Sequence, residues 1–380
     1  MEKILNRLID VERCTYNWVE IEKIPEFERL KSCEQSPRWH KEGNTWNHTQ
    51  NVCNEAIKVA KDIYDDDIRM AFLAAALFHD IGKGTTTKIG KDGNWHSYGH
   101  DYEGEKITRL LLWDEELWMR EYICSLVRWH MEIEFIPESD KFLPKLVSMS
   151  KAVGNLDMLI KLKECDLRGS IQYDNDLKEI ELLKLNDVRE TARSLGFLYH
   201  RPSVPEFNKF AWQKALKEKN SGSQFTIVVP IGLSGAGKST WVKEHYPDST
   251  VISRDAIREE LGYVAPGKKA VLSSQKEDKV SSVFNKRLIE AARDGSKTIV
   301  LDNLNLKKKY RDAYKEQLSL YAVNWVYAYI EANGLQTNLE RRSDDIDLET
   351  LKGMIMSFDW PRPDEYDKFG IFSNGDDDLE

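Results

Sequence analysis

The periodicity of apolar side chains changes near residue 200 and divides the chain into two predicted domains. Before that point apolar residues recur at helical spacing, first from Ile68 to Leu77, then from Ile107 to Leu111 and from Leu156 to Leu162. Runs typical of strands are scarce in this part of the chain. We therefore expect residues 1–200 to form an all-α domain.

Beyond residue 200 short apolar runs replace the helical pattern. The polar stretch 217–223 has no periodicity and predicts a linker over residues 201–223. A helix from Val280 to Ile289 is expected between the second and the third apolar run. Strands that alternate with helices favour an α/β fold with a parallel sheet, over residues 224–380. The four runs are Thr226–Ile231, Thr250–Ile252, Thr298–Leu301 and Val323–Ile330.

Composition and charge narrow the class of protein. The chain has 380 residues, a net charge of −9 and no apolar stretch near the roughly 18 residues needed to cross a bilayer. The negative charge argues against bulk affinity for nucleic acid, although an enzyme that acts on ends needs only a few local cations. The five cysteines form no CxxC pair, and the first residues do not resemble a signal peptide. These features predict a cytoplasmic protein with no membrane partner, and residues 376–380 predict a disordered acidic tail.

A phosphate-binding loop follows the first predicted strand of the second domain. The segment Gly232–Ser239 fits G-x-x-x-x-G-K-[ST], with an apolar strand before it and a predicted helix after it. Its backbone N–H groups would form an anion nest, Lys238 would reach the β- and γ-phosphates, and the Ser239 hydroxyl would bind Mg²⁺. A plain glycine-rich turn is the alternative. The residues predicted to bind ATP or another NTP are Gly232, Ser234, Gly235, Ala236, Gly237, Lys238, Ser239 and Thr240.

Charged residues follow the next two predicted strands. Asp255 is a candidate general base for an attacking hydroxyl, and Arg258, on the same helix face, is a candidate ligand for a substrate phosphate. An N-capping Asp255 in a surface ion pair is the alternative. Asp302 ends the third strand, where a carboxylate would bind Mg²⁺ through water or orient the substrate. The alternative is that the polar residues at this strand end only stabilise a turn. Arg341 and Arg342 are expected to start a helix, where one of them would act as a lid arginine, or to form a solvated face.

A second set of residues in the first domain predicts a metal site. His79 and Asp80 are adjacent at the end of an apolar helical pattern, so an imidazole and a carboxylate can bind one cation. His48 and Asp166, on other predicted helices, would complete four ligands and leave positions for water and substrate phosphate. Lys83 would neutralise a phosphate oxygen. Further candidates for a second metal, phosphate binding or proton transfer are His100 and His130.

The candidate metal ligands of the first domain resemble the motifs of a known superfamily. His48, then His79-Asp80, then Asp166 is similar to the H…HD…D signature of HD-superfamily metallophosphohydrolases. The stretches 78–83, 98–104 and 166–169 are especially similar to the HD domain of bacterial tRNA nucleotidyltransferases. This resemblance implies action on 2′,3′-cyclic, 2′- or 3′-phosphates of RNA with a divalent transition metal such as Mn, Co, Ni, Cu or Zn.

The second half resembles phage-type 5′-OH polynucleotide kinases. The segment Ser253–Arg258 is similar to that family's [N/S]-R-D-x-x-R motif, which implies that Asp255 is the general base and that Arg254 and Arg258 contact the phosphate of the end nucleotide. The segment Asn338–Arg341 is similar to the lid motif, which implies that Arg341 contacts the donor phosphates. The usual R-x-x-x-R spacing is broken because Thr337 stands where the first arginine is expected.

The order of the two halves resembles the bacterial end-healing family HD-Pnk. That resemblance implies a bifunctional enzyme that repairs RNA or DNA ends for a polynucleotide ligase. One alternative joins an HD nucleotidase to a kinase for small metabolites. Another is a regulatory protein in which the HD half senses a nucleotide and the P-loop acts as a switch.

Overall fold

The computed structural model describes residues 3–37, 39–137, 139–172, 175–196, 198, 224–265, 272–342 and 346–374. The chain divides into two compact units, Met1–Val204 and Pro205–Glu380. The predicted linker at 201–223 and the predicted acidic tail at 376–380 lie outside the described residues.

The first unit is helical, as the sequence predicts. Two antiparallel two-stranded ladders accompany the helices in the described part of this unit: β1 (Ile9–Asp10) with β2 (Thr15–Tyr16), and β3 (Lys88–Ile89) with β4 (Trp95–His96). The helices are α1 Ile4–Leu8, α2 Trp18–Ile21, α3 Pro25–Glu28, a 3-10 turn Arg29–Ser32, α4 Thr45–Ala60, α5 Asp66–Phe78, α6 Lys83–Thr86, α7 His100–Leu111, α8 Leu117–Trp129, α9 Glu132–Phe135, α10 Phe142–Val153, α11 Leu156–Gly169 and α12 Asn175–Ser194.

Helix α5 is the centre of this unit because it is apolar on all sides. Every residue from Met70 to Phe78 is buried, and a helix with no polar face must be covered by its neighbours. It packs against α4, α8 and α11. Asp65 caps its start by accepting hydrogen bonds from the backbone N–H groups of Asp67 and Ile68, both at 3.0 Å. Its far end places the next two residues, a histidine and an aspartate, at the junction of the four helices.

The second unit is an α/β domain with five parallel strands in the order β6-β7-β5-β8-β9. The sequence predicts the first four strands, and the fifth was missed. Strand β9 begins at Lys368 and contains Gly370, so it lacks the continuous apolar run that marks the interior strands of a parallel sheet. The strands are β5 Phe225–Ile231, β6 Thr250–Ser253, β7 Thr298–Asp302, β8 Val323–Ala332 and β9 Lys368–Asn374, and the helices are α13 Lys238–His245, α14 Arg254–Glu260, α15 Ser274–Arg293, α16 Lys308–Gln317, α17 Gly334–Glu340 and α18 Leu348–Met356.

A buried ion pair fixes the turn that follows β7. Arg311 is fully buried and donates to both carboxylate oxygens of Glu365, at 2.8 and 3.2 Å. It also donates to the carbonyls of Asn305 and Leu306 at 3.0 and 2.9 Å. The amide of Asn305 in turn donates to the Pro230 carbonyl on β5 at 2.8 Å. The turn after Asp302 is therefore anchored beside the end of the central strand.

No helix in the described ranges is long and apolar enough to span a bilayer. All five cysteines are buried and carry free thiols.

Candidate functional site

The first unit gathers the predicted metal ligands into one buried cluster. His48 lies in the first turn of α4, His79 and Asp80 follow α5, and Asp166 lies near the end of α11. Three of the cluster's histidines are fully buried, and Asp80, Asp166 and His100 are 2%, 8% and 7% exposed. The two further candidates belong to the same cluster: His100 starts α7 and His130 follows α8.

The first four ligand candidates converge at one point. The Nε2 atom of His48 lies 2.9 Å from Oδ1 of Asp166 and 3.4 Å from Nε2 of His79. The Nε2 atom of His79 lies 3.3 Å from Oδ2 of Asp80. The ligand atoms of His48, His79 and Asp80 are close enough to share an ion, and Asp166 contacts this group through His48.

The other oxygen of Asp80 faces a second group. Its Oδ1 atom lies 3.3 Å from Nε2 of His100 and 3.8 Å from Nε2 of His130. The two histidine Nε2 atoms are 3.4 Å apart. Asp80 is therefore common to both groups, and it offers one carboxylate oxygen to each.

The outer nitrogens of the histidines explain why this cluster fits a cation. Each Nδ1 atom has an acceptor, so the Nδ1–H tautomer is favoured and the Nε2 lone pair points into the cluster. Four imidazole lone pairs and two carboxylates then face each other inside the protein, and a divalent cation would satisfy this donor set. The Nδ1 contacts are His48 with Glu42 at 2.9 Å, His79 with the Ala76 carbonyl at 2.9 Å, His100 with the Ser97 carbonyl at 2.8 Å and His130 with the Val127 carbonyl at 2.6 Å.

Burial and neighbouring charges set the pKa values in the cluster. Burial alone would lower the pKa of His48, but hydrogen bonds to Asp166 and Glu42 outweigh it and raise the pKa to about 9. A cation that binds the Nε2 atom of His48 would therefore have to displace a proton from it. Burial lowers the pKa of His130 to about 4. Burial opposes ionisation of Asp80, but nearby cations, above all Lys83, hold its pKa well below the usual range. The cluster thus keeps its carboxylates ionised at neutral pH.

Two charged residues of the cluster were missed in the sequence. Glu42 has a side chain only 3% exposed, orients His48 and accepts a hydrogen bond from the backbone N–H of Ile171 at 2.8 Å. Lys163 lies 2.9 Å from Oδ2 of Asp166 and 2.7 Å from Glu134. Nothing in the local pattern singles out Glu42. Lys163 continues the buried face of α11, and a lysine on such a face needs a carboxylate partner, so that signal was present.

One more predicted residue of the first unit, Lys83, contacts the cluster. Lys83 begins α6, with its Nζ atom 2.7 Å from Oδ2 of Asp80 and 3.0 Å from Oε1 of Gln35. Gly82 is required because a Cβ there would lie 2.1 Å from the His100 carbonyl oxygen. This close approach brings the HD turn against the start of α7.

The second unit forms the predicted P-loop between β5 and α13. Gly235 and Gly237 have φ angles of +80° and +93°, which favour glycine. A Cβ at Gly232 would lie 2.3 Å from the Ile330 carbonyl oxygen, so β8 and the loop approach closely only with glycine.

A cavity of about 370 Å³ opens at the carboxyl ends of these strands. It brings together most of the predicted phosphate-binding residues with the predicted acceptor-binding and lid residues. Gly232 and Ala236, which were also predicted to bind the NTP, do not line it. Parallel α/β sheets place ligands at this edge. The lining includes Ser234, Gly235, Gly237, Lys238, Ser239, Thr240, Arg254, Asp255, Arg258, Asp302, Arg341 and Arg342.

The charged groups of the P-loop contact each other or the backbone. Lys238 donates to the carbonyls of Gly232 and Leu233 at 3.0 and 2.8 Å. The Ser239 hydroxyl donates to Asp302 at 3.2 Å. Arg341 donates to the Gly235 carbonyl at 3.2 Å. NTP phosphates and a cation are the partners for which these groups would exchange those contacts.

The predicted acceptor-binding residues of the cavity belong to a network of ion pairs. Arg258 lies 2.5 Å from Asp255, and Glu277 on α15 contacts Arg254 at 2.8 Å and Arg258 at 3.0 Å. Glu277 was missed because it lies outside the motif. Asp255 is not the helix cap, since Ser253 accepts the capping hydrogen bond from the Ala256 N–H at 3.4 Å. The surface ion pair of the alternative exists, but it lies inside the cavity.

The lid arginines differ from one expectation. The helix α17 ends at Glu340 and Arg341 is its C-terminal cap. Arg341 and Arg342 therefore follow a helix and do not start one. Asn338 is buried and donates to the Ser234 carbonyl at 2.8 Å, which anchors α17 on the P-loop. Thr337, in place of the first lid arginine, donates its hydroxyl to the Asn333 carbonyl of its own helix.

Two protein-family models match the chain, one in each of its two units. The family model "HD domain" matches residues 45–167, and the family model "AAA domain" matches residues 227–361. The multifunctional CCA proteins of Actinobacillus pleuropneumoniae serotype 5b (strain L20) and serotype 7 (strain AP76) are each 32% identical over an alignment of 171 residues that covers 42% of this chain. The chain spans 39% of the length of these curated relatives.

Two solved structures are also similar to part of the chain. A sugar kinase from Janibacter sp. HTCC2649 is 19% identical with a TM-score of 0.30, over 39% of this chain and 85% of that one. A gluconokinase from Sinorhizobium meliloti 1021 is 20% identical with a TM-score of 0.28, over 40% of this chain and 83% of that one. These TM-scores are too low to relate the chemistry of the chain to either enzyme.

The site geometry and the two family models define the class. The chain is a fusion of an HD phosphohydrolase domain with a P-loop kinase-like domain.

Proposed function

We propose that this chain heals nucleic-acid ends, as the HD-Pnk family does. The second unit phosphorylates 5′-hydroxyl ends with an NTP, and the first unit removes 2′,3′-cyclic, 2′- or 3′-phosphates. The products, a 5′-phosphate and a 3′-hydroxyl, are the ends that a polynucleotide ligase joins. The observation that carries the kinase half is the position of Asp255 and Arg258 in one cavity with the P-loop.

In the kinase reaction the 5′-hydroxyl oxygen attacks the γ-phosphorus in line. The new O–P bond forms as the bond to the β,γ-bridging oxygen breaks, Asp255 accepts the hydroxyl proton, and the nucleoside diphosphate leaves. Lys238 and Arg341 neutralise charge on the transferred phosphate, while Arg254 and Arg258 hold the phosphate of the end nucleotide. Ser239 would bind the Mg²⁺ that accompanies the NTP, and Asp302 would contact that ion through water, so that the ion would neutralise further charge.

In the HD half the convergent donor set carries the proposal. His48, His79 and Asp80 are proposed to hold one ion together with Asp166, which lies 2.9 Å from His48. Asp80, His100 and His130 are proposed to hold a second ion. Divalent transition metals such as Mn, Co, Ni, Cu or Zn supply Lewis-acid polarisation and lower the pKa of water. Lys83, already beside Asp80, neutralises a phosphate oxygen of the substrate.

An Asp255→Ala variant tests the assignment. We expect 5′-kinase activity to fall by about 10²-fold or more, the range of general-base catalysis, while hydrolysis of 2′,3′-cyclic ends stays at the wild-type rate. Exposed Asp294, on the same unit, supplies the matched control Asp294→Ala. Kinase activity that survives in Asp255→Ala, or a loss that appears in the phosphoesterase instead, contradicts the proposal.

A series of oligonucleotide lengths tests the class of acceptor. We expect 5′-phosphorylation to rise from the mononucleoside to longer chains, because Arg254 and Arg258 need a phosphate on the end nucleotide to bind. A preference for mononucleosides contradicts the polynucleotide assignment.

Removal of metal tests the HD half. When the protein is treated with a chelator and Mg²⁺ and NTP are then added back, the kinase activity should return and the phosphoesterase activity should stay lost.

A further inference from the structure

Two stacked rings lie on the surface of the first unit beside the HD cluster. Tyr98 is 77% exposed, and its ring stacks on that of His96 with centroids 5.0 Å apart and planes 10° apart. The Nε2 atom of His96 lies 2.9 Å from both carboxylate oxygens of Asp92. The lower ring is therefore held in place, and the ring above it remains accessible to solvent.

The turn that carries Tyr98 also orients a ligand candidate of the cluster. The Ser97 carbonyl pairs with Nδ1 of His100 at 2.8 Å, and the Ser97 hydroxyl pairs with that of Thr87 at 2.7 Å. Gly99, with φ at +75°, ends the turn and starts α7. Tyr98 is thus fixed between two residues that are themselves tied to the HD cluster.

Solvent reaches the cluster at three of its residues. The side chains of the three fully buried histidines are closed to solvent and that of Asp80 is 2% exposed. The side chains of His100, Lys83 and Asp166 are 9%, 11% and 12% exposed. A substrate phosphate must therefore enter past these three residues, and the turn with Tyr98 leads directly into His100.

We propose that Tyr98, supported by His96, stacks on the nucleobase of the terminal nucleotide while its 2′,3′-phosphate lies in the cluster. This inference rests on the proposed phosphoesterase function. Stacking suits this role because every base has a π-face, so the surface accepts any terminal base and still separates nucleotides from esters without one. In a nucleotide the sugar connects the phosphate to the base, and in this turn the chain connects His100 of the cluster to Tyr98, two residues before it.

The test compares two cyclic phosphodiesters that differ in the base. Full-length protein is used, with Lys238→Ala in every arm so that the P-loop does not bind nucleotide. Tyr98→Ala should raise the KM for adenosine 2′,3′-cyclic phosphate about tenfold, in the range of base–aromatic stacking, with little change in kcat. The KM for glycerol 1,2-cyclic phosphate, which has no base, should not change. Tyr98→Phe keeps the ring and should behave as wild type, and Tyr64→Ala, at a 96% exposed tyrosine, is the matched control.

Three results overturn the inference: an equal loss on both esters, no loss on either, or a Tyr98→Phe variant as weak as Tyr98→Ala. If the parent protein hydrolyses neither ester, the proposed phosphoesterase function fails, and calorimetric binding of the same two compounds then decides. Weaker binding of only the adenosine compound by Tyr98→Ala supports the stacking surface. Binding that is absent, or equal in both proteins, overturns it.

Discussion

The HD cluster and the P-loop cavity hold their reactive groups in different ways. In the HD cluster the six ligand candidates are at most 8% exposed, and each histidine is oriented through its outer nitrogen. In the P-loop cavity the Asp255 side chain is 48% exposed, and it pairs with Arg258 in the same cavity. One site is a rigid donor set that fits an ion. The other holds its charges against each other until substrates replace those contacts.

This difference has a physical reason. Ions require ligand atoms at fixed distances, so a metal site gains from side chains locked by packing and outer hydrogen bonds. A kinase must bind two anionic substrates and release both products, so its cationic groups need contacts that are easily exchanged. We therefore expect changes near the HD cluster to act on metal affinity and changes near the P-loop cavity to act on substrate KM.

The largest effect is expected from Asp80→Asn, because Asp80 is common to both groups of the cluster. Loss of its charge should remove metal from both groups and lower phosphoesterase activity by about 10³-fold or more, since Lewis-acid stabilisation supplies several kcal/mol. Metal content per chain and phosphoesterase rate are the measurements. Asp114→Asn, at an exposed position, is the control. Retention of two ions per chain would contradict the shared role of Asp80.

A smaller effect is expected from Glu42→Gln. The variant keeps the shape of the side chain but weakens the contact that orients His48 and the hydrogen bond from Ile171. Outer contacts of this kind change metal affinity by about 10–100-fold, so calorimetric titration with Mn²⁺ should show a loss in that range. Exposed Glu12→Gln should leave the affinity unchanged. An unaltered affinity in Glu42→Gln would mean that the site is less rigid than the comparison states.

Glu277→Gln examines the cavity in the same way. Glu277 holds Arg254 and Arg258 in position, so its loss should raise the KM for the 5′-hydroxyl acceptor by about tenfold, as for one charge-assisted contact. The KM for NTP should stay constant, because these arginines face the acceptor. Glu290→Gln on the same helix is the control. A change in the KM for NTP alone would contradict the assignment of Glu277 to the acceptor-binding residues.

The smallest effect is expected from Asn338→Ala. The variant removes the hydrogen bond that anchors α17 on the Ser234 carbonyl. A single buried hydrogen bond contributes about 0.5–1.5 kcal/mol, so the KM for NTP should rise by about three- to tenfold. Gln336→Ala, exposed on the same helix, should have no effect. A loss in kcat without a change in KM would instead indicate that α17 acts in the chemical step.

Some residues of both sites could be predicted because local sequence fixes their geometry. The P-loop is continuous, its glycines are required by backbone angles, and the strand before it is a plain apolar run. The fold class followed from periodicity alone, although the edge strand β9 of the parallel sheet and the short strands β1 to β4 were missed. The adjacent pair His79-Asp80 likewise stood out at the end of an apolar helix.

The supporting residues could not be found in this way. Glu42 lies six residues before His48 and Glu277 lies 19 residues after Arg258, and neither belongs to a repeated or spaced motif. A helix start was expected at Arg341 and Arg342, but both follow α17, which Asn338 anchors on the P-loop. In each case the deciding partner lies on another element.

The sequence by itself determined two phosphate-related motifs, the helical character of the first half and the parallel sheet of the second, because each depends on local spacing along the chain. Only the tertiary structure decided that Asp80 offers one oxygen to each of two histidine groups, and that Glu277 connects two arginines of the cavity. These arrangements depend on how helices pack, and packing brings together residues that no local pattern relates.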